Sequence, residues 1–385
     1  MLQMADKESW SSLTIILGVS YAAMKIRYFR TQAIASAVVF WFSTFTLSQE
    51  LQKPAEGDYV AHNFHFSSGE ALPELRLHYR TLGQAVRDAN GHVTNAVMIV
   101  HATTADGEWY LTNKVFAGEL FGPGQLLDAT HYYIIAPDAI GHGKSSKPSD
   151  GLRSRFPHYD YDDMVEAEHL LLTEGLKVNH LRLFMGMSMG CMHAFQFAEK
   201  YPDFLDAAMP LACSVVEIGG RNRIFRKVLM DSIRNDPGYK NGEYTQQPTA
   251  LATAVGMMLY DITSSRRMQM LDPTREKADA DLKSFIDSQI ADLDANDVLY
   301  AFDASRDYDP SGKLDQIKAA VMWVNSADDA VNPPELGIAE EQIKKVKRGR
   351  FVLLPISDLT RGHGTNSYPP AWKQYLADLL KETEH

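Results

Sequence analysis

Short apolar runs recur along the chain and alternate with longer stretches in which apolar residues follow helical spacing. Near the start, residues 59–66 and 72–79 alternate apolar and polar positions, which predicts a pair of antiparallel strands. Later runs are almost free of polar residues, which is typical of strands buried on both faces of a parallel sheet. They are Ala96 to Val100, Tyr132 to Ala136, Leu181 to Met185, Ala207 to Leu211, Ala319 to Val324 and Phe351 to Leu354.

Stretches with helical spacing lie between and after these apolar runs. They are Tyr161 to Thr173, Met189 to Lys200, Pro334 to Lys345 and Pro370 to Lys381. A chain that alternates buried strands with helices folds into a mostly parallel sheet covered by helices on both faces. The pattern therefore predicts an α/β protein with a mostly parallel, doubly wound sheet.

The alternation stops between residues 214 and 310, where the pattern is mostly helical. The helical stretches there are Ile224 to Ile233, Thr249 to Leu259 and Ala278 to Leu293. We predict that residues 214–310 form a helical cap inserted into a core made of residues 49–213 and 311–385. Such a cap would cover the carboxyl edge of the sheet, where open α/β sheets bind ligands.

The first 48 residues differ from the rest. Three basic residues between positions 25 and 30 precede residues 31–49, which carry no charge and include a strongly apolar run. This order is typical of a signal peptide that starts at Met24 and is cleaved after Ser48, with residues 1–23 an upstream extension of the reading frame. An uncleaved membrane anchor is the alternative. Both place the catalytic body across a membrane from the cytosol, so we expect a secreted or periplasmic protein; without a signal it would be cytoplasmic.

Composition narrows the class of function. The chain has 385 residues, of which 45% are hydrophobic and 23% charged, as in an ordinary globular enzyme. Its formal net charge of −11 repels phosphate backbones, so nucleic acid is excluded as an expected partner. The two cysteines, Cys191 and Cys213, lie in apolar stretches, and we expect them to be free and buried; a disulfide between them is the alternative.

The strongest chemical motif is Gly186-Met187-Ser188-Met189-Gly190, which lies between a predicted strand and a predicted helix. This is the context of a nucleophile elbow, a tight turn that exposes a serine hydroxyl above the sheet. Glycine two residues to either side allows neighbouring backbone to approach without a clash with a β-carbon. Ser188 is therefore the candidate nucleophile.

A serine hydroxyl needs a base to take its proton and an acid to orient that base. In folds with this elbow, the acid and then the histidine follow late strands. The acid comes from the loop after residues 319–324, where Asp329 is preferred over Asp328 because Pro333 follows it by four residues. His363 lies between the last strand and the last helix, where the base is expected.

The attack on a carbonyl creates an oxyanion that needs preorganised N–H donors. One donor is expected from Met189, directly after the nucleophile. The other is expected from Thr103 in the loop after residues 96–100, which His101 braces. The glycine turn at residues 141–143 is interpreted as scaffold. No metal-binding cluster or phosphate loop is evident, so we expect no cofactor and no metal.

At this point the chain resembles the homoserine O-acetyltransferase branch of the α/β-hydrolase superfamily over most of residues 60–380. The resemblance is carried by the third strand and the helix entry that follows, and by the cap. The matching segments are Asn95 to Ala102, Phe156 to Val165, Asp236-Pro237 with Gly242 and Tyr244, and Tyr300 to Asp309. The resemblance implies the α/β-hydrolase fold and gives Ser188, Asp329 and His363 the roles already argued.

The chain departs from that family at three positions. Cys191 replaces the second glycine of the family's Ser-Met-Gly-Gly-Met elbow, and residues 141–148 replace its G-S-T-G-P loop. Homoserine enzymes of the family carry an acid directly after the histidine, suited to the substrate ammonium, whereas this chain has Gly364. Homoserine is therefore not the expected substrate. Three cap arginines are either solvated or face a substrate carboxylate; they are Arg221, Arg223 and Arg226.

A hydrolase and an acetyltransferase share the acyl-serine and differ in whether water or an alcohol removes the acyl group. Because acetyl-CoA is a cytosolic donor, export favours a serine hydrolase acting on an ester or related small acyl substrate. An acetyl-CoA-dependent O-acetyltransferase is the second hypothesis, and a non-catalytic binding protein on the same scaffold is the third. The oligomeric state is left open, a homodimer included.

Overall fold

The sheet has eight strands in the computed structural model, which describes residues 53–384. Their order in the sheet is β1-β2-β4-β3-β5-β6-β7-β8. The strands are β1 (Ala55–His65), β2 (Ala71–Leu82), β3 (Ala96–Val100), β4 (Tyr133–Pro137), β5 (Leu183–Met187), β6 (Ala207–Leu211), β7 (Ala320–Ser326) and β8 (Gly349–Leu354). β1 and β2 are antiparallel, whereas β3 to β8 run parallel. The α/β-hydrolase fold class is thereby confirmed, with a mostly parallel sheet.

The helices lie between and after the strands of this sheet. The helices within residues 53–384 are α1 (Gly107–Thr112), α2 (Phe116–Leu120), α3 (Tyr161–Leu170), α4 (Met189–Lys200), α5 (Gly220–Arg234), α6 (Ala250–Ile262), α7 (Ser265–Leu271), α8 (Arg275–Ile290), α9 (Ala295–Asp303), α10 (Ile338–Gln342) and α11 (Lys373–Glu382). The helix expected over residues 334–345 is interrupted, because Gly337 adopts a φ of +62° and only residues 338–342 are α-helical. α1, α2 and α7 were not predicted. The last cap helix that the resemblance implied over Tyr300 to Asp309 overlaps α9, which begins five residues earlier.

Side chains of each inner strand alternate between two hydrophobic layers. In β3, Met98 and Val100 point to the layer that includes α3 and α4, whereas Val97 and Ile99 point to the layer of α1, α2 and α11. All four side chains are fully buried. Burial of one such side chain contributes about 1.5–3 kcal/mol, so the paired layers hold the carboxyl ends of the strands in fixed register.

Helices α5 to α9 fill the segment between β6 and β7. α5, α6 and α9 share a hydrophobic cluster of their own, which includes Leu229, Val255 and Leu299, and α8 packs against it. This cluster is separate from the two layers of the sheet. The division of the chain into a core and a cap at residues 214 and 310 stays a prediction.

The signal peptide or anchor predicted within residues 1–48 lies outside the described residues. Within residues 53–384, none of the helices combines the length and apolar character needed to cross a bilayer.

The two cysteines form a disulfide, so the expectation of free thiols was wrong. Cys191, in the first turn of α4, and Cys213, just after β6, are bonded with their Cα atoms 5.8 Å apart. Both residues are fully buried. A buried cysteine occupies an apolar stretch whether it is bonded or free, so the local sequence could not distinguish the two states. The bond joins the nucleophile helix to the chain that leads into α5.

Replacing both cysteines with alanine is expected to lower the free energy of unfolding by about 3 kcal/mol, because the unfolded chain regains the freedom of the closed loop. Urea unfolding of the oxidised protein and the double variant measures the difference. The single variants Cys191→Ala and Cys213→Ala serve as controls. Each already breaks the bond, so neither should be much more stable than the double variant. Equal stability of oxidised wild type and double variant would contradict the expectation.

Candidate active site

Ser188 occupies the sharp turn between β5 and α4. Its backbone has a φ of +53° and a ψ of −105°, a conformation that L-residues rarely adopt. Such a conformation costs about 1–3 kcal/mol and persists only where the surroundings enforce it. Here the Ser188 N–H donates to the carbonyl of Leu211 at the end of β6, with an N···O distance of 2.9 Å. The turn is therefore fixed by the neighbouring strand.

The two glycines of the elbow are required by close backbone contacts. A β-carbon on Gly186 would lie 1.9 Å from the carbonyl oxygen of Gly190, and one on Gly190 would lie 2.2 Å from the carbonyl oxygen of Val100. Both distances are far below any van der Waals contact, and the atoms met are backbone. Only glycine at these positions allows α4 to start directly behind the end of β3.

The structure brings the three residues proposed as a triad into one hydrogen-bonded chain. Nε2 of His363 lies 2.8 Å from Oγ of Ser188, and Nδ1 lies 2.9 Å from Oδ2 of Asp329. Asp329 and His363 are buried, at 2% and 7% exposure, whereas Ser188 is partly exposed. With a proton on Nδ1, Nε2 is the acceptor for the serine hydroxyl, which is the tautomer needed for base catalysis.

The two adjacent carboxylates of the acid loop have different partners. Besides His363, Asp329 accepts the Val331 N–H at 2.8 Å and the Asn332 side-chain amide at 3.1 Å. Asp328 instead accepts the Gly362 N–H at 3.1 Å. Asp329 thus contacts the imidazole directly, and Asp328 holds the backbone of the histidine loop.

The histidine loop is fixed both by its own neighbours and by the helical segment between β6 and β7. The Ser326 hydroxyl donates to the Gly362 carbonyl at 3.0 Å, and the Asn366 side chain donates to the His363 carbonyl at 2.8 Å. A β-carbon on Gly362 would lie 2.7 Å from the carbonyl carbon of Thr263, in the segment between α6 and α7. The backbone between α6 and α7 therefore lies directly against the residue before His363.

Electrostatics favour a charged pair of histidine and aspartate. Burial opposes protonation of His363, but the adjacent Asp329 carboxylate and its hydrogen bond outweigh burial, and Asp261 adds to them, so the pKa of His363 is raised. Burial likewise opposes ionisation of Asp329, but His363 and the N–H donors of the loop hold the pKa of Asp329 below its ordinary value. The site is therefore arranged to stabilise the imidazolium that forms when His363 accepts a proton.

The proposed oxyanion donors, Thr103 and Met189, lie in adjoining segments. The Gly190 N–H donates to the His101 carbonyl at 3.1 Å, which joins the loop of Thr103 to the start of α4. Neither the Thr103 nor the Met189 N–H donates to another group within residues 53–384. His142 lies 2.7 Å through Nε2 from the carbonyl oxygen of Thr103. Within the described residues, the two proposed donors are thus without an acceptor, one on the loop that His142 braces and one at the start of α4.

The bracing histidines are neutral. Burial lowers the pKa of His101 to about 4 and that of His142 to about 4. His101 accepts the Ala139 N–H through Nε2 at 3.0 Å, and its Nδ1 lies 2.8 Å from the carbonyl of Ala102. This agrees with the prediction that His101 braces the loop. The sequence did not predict the same bracing role for His142, because its contact with Thr103 spans 39 residues and leaves no local sequence signal.

Other groups around the triad were also missed by the sequence analysis. Asn332 supports Asp329, and its only sequence signal was its place three residues after the acid. Asp261, a buried carboxylate at the end of α6, lies near His363 and pairs with Arg221 at 3.3 Å. Arg221 also donates to the Ala330 carbonyl at 2.9 Å. Of the other cap arginines, Arg226 is buried and donates to Ser305 at 3.0 Å.

Comparison with known proteins agrees with the fold. Residues 95–219 match the family model described as the alpha/beta hydrolase fold. A homoserine O-acetyltransferase from Pasteurella multocida is 28% identical over 288 residues, which cover 68% of this chain and 78% of the relative.

Two solved structures are similar at low sequence identity. A homoserine O-acetyltransferase from Bacillus anthracis superposes with a TM-score of 0.74 at 19% identity, covering 86% of this chain and 98% of that chain. An acetylester hydrolase from Corynebacterium glutamicum superposes with a TM-score of 0.73 at 20% identity, covering 85% of this chain and 96% of that chain. Both likenesses concern the fold alone.

The pKa of His363 is expected to lie above its ordinary value of 6.5. In Asp329→Asn it should fall, because the anion that stabilises the imidazolium is removed. NMR titration of labelled histidine side chains measures both values, with His363→Gln to assign the resonance. Asp328→Asn is the matched control, since that side chain contacts the Gly362 amide and its oxygen can still accept. An equal fall in both aspartate variants would contradict the assignment of Asp329.

Proposed function

We propose that this protein is a serine hydrolase that cleaves an ester or a related small acyl substrate. The premise is that the chain is an α/β-hydrolase of the homoserine O-acetyltransferase-like branch. The observation that carries the proposal is the hydrogen-bonded chain from Ser188 through His363 to Asp329. A hydroxyl held in this way is an activated nucleophile. Ser188 also lies in a strained turn, and strained backbone of this kind clusters at functional sites.

In the first half of the reaction, the Ser188 oxygen attacks the substrate carbonyl as His363 Nε2 takes the hydroxyl proton. The carbonyl oxygen becomes an oxyanion, which the N–H groups of Thr103 and Met189 stabilise. His363 then gives its proton to the leaving alcohol, and an acyl-serine remains. In the second half, His363 takes a proton from water, the hydroxide attacks the acyl-serine, and the acid leaves as Ser188 regains its proton. Asp329 orients the imidazole throughout.

The proposed location of the protein outside the cytosol supports water as the acyl acceptor. We propose that residues 25–48 direct export and that the catalytic body is secreted or periplasmic. The Cys191–Cys213 disulfide supports this, because structural disulfides persist in oxidising compartments and are rare in the cytosol. Acetyl-CoA is a cytosolic donor. An exported enzyme of this branch would therefore take its acyl group from another donor and transfer that group to water.

An acetyl-CoA-dependent O-acetyltransferase is the second candidate. The relative from Pasteurella multocida, which carries that activity in its name, aligns with 68% of this chain and favours it. Gly364 speaks against homoserine as the acceptor, since homoserine enzymes of the branch have an acid at that position. A non-catalytic binding protein is the third candidate, and a fluorophosphonate probe that failed to label Ser188 would favour it.

A substrate screen tests the proposal directly. The wild type should hydrolyse p-nitrophenyl acetate or butyrate, and Ser188→Ala should lower kcat by about 10⁴-fold or more, because the covalent step is lost. The same preparation is incubated with acetyl-CoA and homoserine, and free thiol and O-acetylhomoserine are measured. Transfer of acetyl to homoserine without hydrolysis of simple esters would reverse the order of the first two candidates.

The pH dependence of kcat/KM is expected to follow the neutral form of His363. Because the pKa of His363 is raised above 6.5, activity should be low in acid and rise with pH through that higher pKa. Initial rates on a neutral ester between pH 5 and pH 9 measure this limb. A midpoint at or below the ordinary histidine pKa would show that a different group limits the reaction.

A further inference from the structure

A cavity of about 450 Å³ lies between the cap and the loop of the catalytic histidine. We call it the cap-loop cavity. Its apolar lining comes from the cap helices and consists of Leu259, Ile262, Met268, Leu271 and Phe285. Its wall on the core side includes Arg361 and Gly364, and Gly364 directly follows His363. The cap-loop cavity therefore borders the backbone of the loop that carries the proposed catalytic base.

Two guanidinium groups line the cap-loop cavity, Arg267 from α7 and Arg361 from the histidine loop. Neither has a carboxylate within ion-pair distance in the described part of the chain. Arg361 lies over the ring of Tyr368, 3.4 Å from its centroid, and its Nε is buried without an acceptor. The stacked ring leaves the guanidinium in place without neutralising its charge.

The acidic groups near these arginines are already paired. Asp272 and Asp281, which line the same cavity, both accept from Lys277, at 3.0 Å and 2.7 Å. Asp358 accepts from Arg266, the residue before Arg267, at 2.6 Å. Asp261 pairs with Arg221 at 3.3 Å. The local charge of the two arginines is thus not cancelled by the chain itself.

Two like charges in a partly apolar cavity repel each other. Burial and the neighbouring charge of Arg267 lower the pKa of Arg361, in that order of size. Such an arrangement is unfavourable unless an anion binds between the two groups. Guanidinium presents a planar fork of N–H donors that matches the oxygen pairs of carboxylate and phosphate.

We propose that Arg267 and Arg361 form a binding site for an anionic group, a carboxylate or a phosphate, on the substrate of the reaction proposed above. The inference rests on that proposed function and narrows its substrate class. The substrate would be an ester with an anionic group away from the scissile bond and an apolar portion between them, which matches the apolar lining of the cap-loop cavity. Ester cleavage itself proceeds through Ser188 as described.

The first test uses inorganic phosphate as the probe and does not depend on turnover. Calorimetric titration should show binding to the wild type and a dissociation constant raised by about tenfold or more in Arg267→Gln and in Arg361→Gln, because each removes charge-assisted hydrogen bonds. Arg266→Gln is the matched control, since its side chain pairs with Asp358 and does not line the cap-loop cavity. Arg361→Lys retains a charge and should retain more binding than Arg361→Gln.

The second test uses p-nitrophenyl monoesters of adipic and suberic acid, each compared with its neutral methyl ester. The wild type should favour the free acids in kcat/KM, and this preference should be lost in Arg267→Gln and kept in Arg266→Gln. If the wild type binds inorganic phosphate but shows no preference for the free acids over their methyl esters, the anion recognised is a phosphate and not a carboxylate. Unchanged phosphate binding in both glutamine variants of the cavity arginines would overturn the site.

The two proposals fail separately. If no p-nitrophenyl ester is cleaved, the hydrolase proposal fails, while phosphate titration still decides whether the arginines bind an anion. If esters are cleaved with no difference between charged and neutral substrates in any variant, and phosphate does not bind, the anion site fails while the hydrolase stands. Circular dichroism of each variant confirms that the fold is retained.

Discussion

The approach of Gly190 to the end of β3 is the contact on which the rest of the site depends. The Gly190 N–H donates to the His101 carbonyl, and its Cα lies so near the Val100 carbonyl that any side chain would clash. This contact sets the distance between the nucleophile helix and the loop of Thr103. Because the Ser188 turn and that loop are joined here, the attacking oxygen and the proposed oxyanion donors keep one geometry. The disulfide at Cys191, one residue further on, ties the same turn of α4 to the end of β6.

Much of this could be predicted from sequence, because the elbow is local. Gly186 is required by a contact with Gly190, four residues further on, although Gly190 itself also meets the distant Val100. A fully apolar run such as Ala96 to Val100 is nearly sufficient to define a buried strand. The order of acid and histidine after the nucleophile follows from the topology of the sheet. Sequence could not settle Asp328 against Asp329, since both lie on one loop and only the fold decides which carboxylate faces the imidazole.

The features that sequence missed depend on contacts between distant segments. His142 meets the Thr103 carbonyl across 39 residues, and Asp261 comes near His363 only because α6 ends against the histidine loop. Neither has a periodic pattern or a turn motif to mark it. The cysteine pair was missed for a similar reason: burial alone is compatible with both thiol and disulfide. Short helices such as α1 escaped prediction because six residues hold too few turns to show a helical period.

Overall charge and local charge give different information about this protein. A net charge of −11 opposes nonspecific binding of anionic polymers, yet the cap-loop cavity brings Arg267 and Arg361 together without a carboxylate partner in the described part of the chain. Around a neutral or cationic substrate this arrangement would only cost stability. That cost is offset if the substrate carries an anion that pairs with the two arginines. The net negative charge of the protein meanwhile limits competition from large polyanions. Charge placement near His363 therefore bears on substrate choice, whereas the triad itself bears only on the chemistry common to hydrolysis and transfer.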